Sequence, residues 1–366
     1  MKVCHLGDAS VTHTWRWVDA MEKKGYKTHL ISLKPLREEF NNPNVKLHII
    51  EKKNLKNPLN LISKIIQIRN LVKKIDPDII DAHYATHYGF FAALTGKPFI
   101  CSVWGSDIVI LPKRSKILKL LTKYVLRKAV AITCDALHMQ KAMEELGADK
   151  SKIHLVYYGL DLNKIDPEKF RPNFKKQNNH PVIITVRNLE PKNDTETIIR
   201  CIPYVIKEFP DARFLIIGDG SQKNYLEDLA KSLNCSGNVE FLGRIVNDRL
   251  PEFFVCSDVY VSPSLADGGL GSATAEAMAC EMPVIVTDFG DNRRWVEDGK
   301  NGYIIKTMDY EAMAAQIIKL LKDKAMREEM GKLNREVIKT RLNVDTEMAK
   351  LDNLYKDVVT KAKKSV

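Results

Sequence analysis

Apolar and polar positions fall into two successive blocks in which short apolar runs alternate with stretches of helical period. The first run, Lys2–Leu6, ends in Gly7-Asp8-Ala9-Ser10. His13, Trp17, Ala20 and Met21 then fall at helical spacing as far as Gly25, so a strand, a turn and a helix open the chain. Runs at Lys27–Leu33, Val45–Ile50, Asp78–His83, Phe99–Val103, Ala129–Thr133 and Lys152–Tyr157 read as further strands. Between them Leu61, Ile65, Ile68, Val72 and Ile75 repeat at 4-3-4-3 spacing behind Pro58, and helical stretches follow at His87–Leu94, Ser115–Lys128 and Ala136–Leu146. Strands that alternate with helices imply a parallel sheet covered on both faces.

The pattern dissolves over residues 163–180, NKIDPEKFRPNFKKQNNH, where two prolines and several asparagines replace any apolar period; this segment reads as an interdomain linker. The alternation then restarts. Strands are expected at Val182–Val186, Phe214–Ile217, Val239–Leu242, Val259–Val261, Val284–Val286 and Tyr303–Ile305, with helices near 194–208, 222–233, 248–256 and 272–280. After Asp309 the chain reads as helical to residue 366, apart from a break near Asn343. The fold class is therefore α/β with two doubly wound, Rossmann-like domains, residues 1–162 and 181–340, and 366 residues give each enough chain for a core.

Composition alters this picture in three places. No apolar run approaches the roughly 20 residues that span a bilayer, and the start MKVCHLGDAS lacks the basic head and long apolar centre of a signal peptide, so a cytoplasmic protein is expected. Seven cysteines lie far apart without a Cys-x-x-Cys pair, which points to free thiols and against a zinc or redox motif. The net charge of +11 is localised: residues 52–75 and 108–133 each hold seven Lys/Arg and no acid, so fourteen of the 57 basic residues sit there and leave 43 against 46 acids elsewhere. That concentration suggests a surface for an anionic membrane. No aromatic ladder, helix-turn-helix or zinc signature accompanies the cations, and nucleic acid is not expected as a partner.

Candidate chemistry centres on residues 259–306. The run Val259–Val261 leads through Asp267-Gly268-Gly269-Leu270-Gly271-Ser272 into a helix carrying Glu276, so loop amides and a helix start face a prospective anion, with a phosphate fitting best. Arg187 and Lys192 stand beyond the carboxyl end of the first strand of the second block, where open α/β sheets bind ligands. Two cations there suit a diphosphate and would stabilise charge on a leaving oxygen.

The loop, Glu276-Ala277-Met278-Ala279, Pro283-Val284-Ile285-Val286 and Gly299-Lys300-Asn301-Gly302 together resemble the donor-binding block of family 4 retaining glycosyltransferases. The resemblance implies the GT-B fold, two Rossmann-like domains facing a central cleft, with the last helix, 341–366, returning to the first domain. It implies a metal-independent hexosyltransferase that needs no cofactor and moves sugar from a nucleotide diphosphate sugar to a glycan or lipid-linked acceptor hydroxyl; with such an acceptor, the two basic stretches point to peripheral attachment at the inner membrane face. Arg187, Lys192 and Glu276 match the residues that hold the donor diphosphate and ribose. Arg244 and Ile245 match the base-binding strand end, and Gly7, Ser10 and His13 the glycine loop of the first domain that approaches the donor phosphates and the acceptor, with Gly7 donor-binding and His13 catalytic. His83, His87 and Asp107 follow predicted strands and are expected on the acceptor side, a structural role being the alternative for each. The family's first glutamate is replaced by Gly268, which leaves Asp267 either reaching the sugar or capping its turn. Trp104 stands where many relatives carry histidine. Another GT-B enzyme, such as a nucleotide-sugar epimerase, and an inactive partner protein are the competing readings. Asp76-Pro77-Asp78 precedes a strand and reads as a turn, and Gly218-Asp219-Gly220-Ser221 lacks the third glycine of a dinucleotide loop, position 223 being Lys.

Overall fold

The computed structural model describes residues 1–36, 40–51, 57–173, 180–265 and 269–364. The chain divides into two compact units, one of residues 1–159 and 344–366, the other of residues 160–343.

In the first unit β1 (Lys2–Leu6), β2 (Lys27–Ser32), β3 (Lys46–Ile49), β4 (Ile79–His83), β5 (Phe99–Ser102), β6 (Ala131–Cys134) and β7 (Ile153–Leu155) form one parallel sheet in the order β3-β2-β1-β4-β5-β6-β7. The strands are apolar on both faces because both are covered. Cys4, Leu6, Ile80, Ala82, Cys101 and Ile132 enter a core with Ile68 and Val72 of the helix Pro58–Ile75, Phe91 of Tyr88–Ala93 and Val125 and Leu126 of Lys116–Lys128. Val3, Ile79, Ile100 and Ala131, one residue out of step, face Trp17 and Met21 of the helix Thr12–Lys23 and Met348, Leu351 and Tyr355 of Val344–Lys364. Each fully buried Val, Leu, Ile, Phe or Met among them contributes roughly 1.5–3 kcal/mol. The last helix is held further by Glu347, whose carboxylate accepts the Tyr157 amide at 2.9 Å. At Gly159, with φ of +69°, an added Cβ would meet Val344 Cα at 2.7 Å, so only glycine lets the chain pass there.

The second unit repeats the scheme with β8 (Val182–Val186), β9 (Arg213–Ile217), β10 (Val239–Gly243), β11 (Val259–Ser262), β12 (Val284–Thr287) and β13 (Gly302–Ile305), all parallel, in the order β10-β9-β8-β11-β12-β13.

Two expectations are corrected. Over residues 163–173 the expected linker is part of the second unit: Pro167–Phe170 is helical behind the Asp166 cap, Ile165 is buried, and Arg335 bonds to Ile165 O at 3.2 Å and Asp166 at 3.1 Å. The helical region after Asp309 breaks not only near Asn343 but also at Asp323, an N-cap whose carboxylate accepts the Met326 amide at 2.9 Å and starts a new helix, Lys324–Arg341.

Candidate functional site

In the second unit the strand ends of β8 and β11 and the start of the helix Ser272–Ala279 gather the predicted anion-binding groups. Arg187 follows β8 directly, and its Nη2 donates to Ser262 Oγ at the end of β11 (2.5 Å) and to Thr274 Oγ1 in the first turn of that helix (3.3 Å). A guanidinium fixed by two hydroxyls on two different elements is pre-organised, so little side-chain entropy remains to be lost when an anion arrives. Lys192 lies in a short 3₁₀ turn, Pro191–Asn193, with its ammonium side exposed, while its carbonyl accepts the Leu265 amide at 2.9 Å and ties that turn to the start of the glycine loop. Gly269 and Leu270 lead to Gly271, the residue before the helix, and Ser272 opens it; Glu276 is buried on its second turn. Asp267 and Gly268 lie outside the described residues. Arg244 and Ile245 follow edge strand β10, two strands from β8, with Arg244 exposed and Ile245 half-buried.

The glycines at 218 and 220 acquire a role that spacing alone does not reveal. An added Cβ at Gly218 would stand 1.8 Å from Arg187 O, and one at Gly220 would stand 2.4 Å from Leu189 O. The Leu189 amide donates to Asp219 O at 3.0 Å. This loop is thus the backing of the Arg187–Lys192 segment. Ser262 and Thr274 are likewise absent from the motif reading, although Ser262, the polar end of an apolar run, carried a signal.

The first unit places its polar groups differently. Gly7 ends β1 with no room for a side chain, a Cβ there falling 2.6 Å from Thr14 Cγ2 and 3.3 Å from His83 Cβ. Ser10 donates to Asp8 at 2.6 Å, and Asp8 pairs with Lys34 at 2.7 Å. His13 stacks on Trp104 with centroids 5.0 Å apart and 15° between planes; Trp104 stacks in turn on His83 at 5.9 Å and 6°. Burial pushes the His13 imidazole down to about 4, with Arg16 and His83 adding to the effect, so it is neutral at physiological pH.

His83 is buried beneath that stack, and His87 is exposed, with Nδ1 3.0 Å from Thr86 Oγ1. The two histidines expected on one side therefore do not share an environment. Asp107, also fully buried, accepts the amides of Ala85 at 2.8 Å and Trp104 at 3.2 Å and so joins two strand-end loops; burial raises its carboxyl to about 6. This is the structural alternative for Asp107.

Beneath the stack lies a cluster that motif reading missed. The β1–β4 register sets His5 opposite Asp81, and His5 Nδ1 meets His83 Nε2 at 3.2 Å. Asp81 accepts from Ser102 Oγ at 2.6 Å and from the Tyr355 hydroxyl of the last helix. Burial drives both imidazoles down to about 3 and the Asp81 carboxyl up, opposed there by His5, so the cluster favours its uncharged forms. His5, Asp81 and His83 bring three metal-ligand atoms within 4.8 Å of one another. His5 Nδ1 and His83 Nε2, however, share a hydrogen bond in which one ring N–H donates to the other ring's lone pair, so one of the two nitrogens carries a proton in this arrangement and offers no lone pair to a metal. Only alternation inside β1 and β4, which buries residues 5 and 81 among apolar neighbours, hinted at this cluster.

Residues 166–337 match the model for glycosyl transferases group 1, and residues 2–136 match that for glycosyl transferase 4-like proteins. The chain belongs to the group 1, family-4-like glycosyltransferases. The N-acetyl-alpha-D-glucosaminyl L-malate synthase of Bacillus anthracis is 24% identical over 310 residues, 82% of this chain and 79% of that protein. The UDP-Gal:alpha-D-GlcNAc-diphosphoundecaprenol alpha-1,3-galactosyltransferase of Escherichia coli is 27% identical over 316 residues, 81% of this chain and 80% of that one. Among solved structures, Anabaena HepE in complex with UDP and glucose superposes with a TM-score of 0.82 at 17% identity, covering 98% of this chain and all of that one. The sucrose-phosphate synthase of Thermosynechococcus elongatus reaches 0.81 at 16%, covering 99% of this chain and all of that one. These likenesses place this glycosyltransferase in the GT-B fold.

Proposed function

We propose that this glycosyltransferase takes a nucleotide diphosphate sugar in its second unit and passes the sugar, with retention and without a metal ion, to an acceptor hydroxyl held by its first unit. The observation that carries the reading is the Arg187 guanidinium fixed by Ser262 and Thr274 beside a glycine loop and a helix start. Arg187, Lys192 and the amides of residues 271–273 stabilise the charge that develops on the departing diphosphate. Glu276 takes the ribose hydroxyls, the strand end at Arg244 and Ile245 takes the base, and the loop from Asp267 through Gly268, Gly269 and Leu270 takes the sugar. The acceptor oxygen attacks from the face that the diphosphate leaves, and its proton goes to the departing phosphate oxygen. That route requires no carboxylate pair at glycosidase spacing. From the first unit Gly7, Ser10 and His13 approach the donor phosphates and the acceptor, with His13 at the reacting groups; His87 lines the acceptor side, and His83 and Asp107 support it from below. Anabaena HepE in complexes with UDP, and relatives named as UDP-Gal or GDP-mannose-dependent transferases, support a nucleotide-sugar donor.

The acceptor is a glycan or lipid-linked precursor met at the cytoplasmic face of an anionic membrane, to which the basic stretches 52–75 and 113–128 turn; residues 52–56 lie outside the described residues. No helix among the described residues is long and apolar enough to cross a membrane. Saturation-transfer NMR against UDP- and GDP-sugars identifies the donor, and the anomeric configuration of the transferred sugar, followed with excess chelator and then with added magnesium, tests retention and metal independence. An inverted product, or turnover that requires magnesium, overturns those parts; binding of a nucleotide sugar with epimerisation and no transfer overturns the whole.

A further inference from the structure

Two helices of the first unit expose apolar side chains that its core does not use. On the helix Pro58–Ile75, Ile68, Val72 and Ile75 are buried, whereas Leu59, Ile62 and Ile66 are 52–75% exposed. The helix Lys116–Lys128 repeats the arrangement: Thr122, Val125 and Leu126 are buried, and Ile117, Leu120 and Tyr124 are 37–70% exposed. Both triplets fall at i, i+3 and i+7, the spacing that sets side chains in one ridge along a helix. Single exposed leucines are ordinary, but two rows of three on one layer are not.

The cations are arranged around these ridges. On the first helix the same ridge continues into exposed Arg69 and Lys73; on the second, Lys116, Lys119 and Lys123 each precede an apolar member by one residue. Neither helix contains an acid. Both pack on the same core over one face of the sheet, and as crossover helices of a parallel sheet they run in the same sense. A second copy of the chain would bring cations against cations. A nucleic acid would pair with the lysines and leave the isoleucines against phosphate or water. An anionic bilayer accommodates both, since apolar side chains enter the boundary between headgroups and acyl chains while lysines remain among the phosphates.

We propose that these two ridges dock the first unit on an anionic membrane surface, with Leu59, Ile62, Ile66, Ile117, Leu120 and Tyr124 entering the headgroup layer. The inference gives a physical device to the membrane-facing acceptor proposed above and rests on that reading for its purpose, whereas docking itself requires no turnover. Sedimentation with vesicles of phosphatidylcholine alone, or with one third phosphatidylglycerol, tests it on the full chain. Wild type should bind the anionic vesicles and release them as salt rises. The pairs Ile117→Ser with Leu120→Ser, and Leu59→Ser with Ile62→Ser, should each weaken binding by about tenfold or more, and Lys116→Gln with Lys119→Gln should lower both affinity and its salt dependence. These exposed positions leave the core intact, and donor binding by NMR should be unchanged in all three variants. Equal binding to the two vesicle types overturns the proposal, as does wild-type binding by both serine pairs, because cations alone would then account for the attachment. Failure of wild type to bind any nucleotide sugar would instead defeat the transfer reading and leave docking standing.

Discussion

The two units share one architecture and treat charge in opposite ways. In the second, a guanidinium is carried to the strand ends and held there by the hydroxyls of Ser262 and Thr274. In the first, the imidazoles of the corresponding interior are kept neutral, with His5, His83 and His13 shifted far below their ordinary range, while cations cover the outer faces of two helices. A doubly wound sheet thus fixes where groups are presented without fixing what they are, and the polarity of each strand end decides which partner a unit can take.

The sharpest way to break the contrast is at the backing loop of the second unit. Gly218→Ala places a Cβ 1.8 Å from Arg187 O at a φ of +141° and should cost on the order of 4 kcal/mol, with turnover falling as the cation shifts. Gly96→Ala in the first unit, where φ is +79° but nothing lies within 4 Å, should cost only about 1 kcal/mol. Urea unfolding of the two variants measures the difference, and similar losses would remove the assigned role of the loop. Arg187→Ala and Lys192→Ala should each lower turnover on the order of 10²-fold, about 2.7 kcal/mol, by depriving the departing diphosphate of a cation. Steady-state kinetics near wild type in both would sink the clamp.

Glu276→Gln should weaken all donors alike by about tenfold, one neutral hydrogen bond replacing a charged one, whereas Asp267→Asn should alter the preference among sugars on one nucleotide. Titration of donor affinities separates the two, and an unchanged preference makes Asp267 a turn residue. Acid stability gives a further test. Three histidines whose folded values lie at about 3 to 4, below the ordinary 6.5, contribute stability that is present above pH 6.5 and lost as pH falls towards 3. Raised carboxyls at Asp81 and Asp107 act in the opposite sense as pH falls and offset part of that loss. Thermal unfolding followed by tryptophan fluorescence against pH should therefore show stability declining below pH 6.5, and less steeply in His83→Gln; a rise in stability over that range refutes the buried neutral cluster.

Much of this was legible in the residues, for identifiable reasons. Parallel strands buried on both faces read as apolar runs, so β1, β4 and β8 stand out, and Arg187 is conspicuous because a cation directly follows such a run. What stayed hidden depends on contacts distant in sequence. His5 and Asp81 meet only through the β1–β4 register, and Tyr355 reaches Asp81 across 274 positions. Gly218 resembled half a nucleotide motif because a tight turn beneath a strand end requires the same residue whether it approaches a phosphate or the protein's own carbonyl. The segment 163–173 lacks apolar period yet belongs to the second unit, since Arg335 anchors it through a carbonyl and a carboxylate and only isolated side chains, Ile165 and Pro167, are buried.

The last helix gives the first unit a history during synthesis. Val3, Ile79, Ile100 and Ala131 are covered partly by Met348, Leu351 and Tyr355, which emerge from the ribosome only after the whole second unit. At about 5–20 residues per second the intervening 184 residues take roughly 10–40 s. Throughout that interval the nascent first unit presents a sheet face covered only by the helix Thr12–Lys23 and an Asp81 without its tyrosine, an apolar surface that closes when the end of the chain folds back.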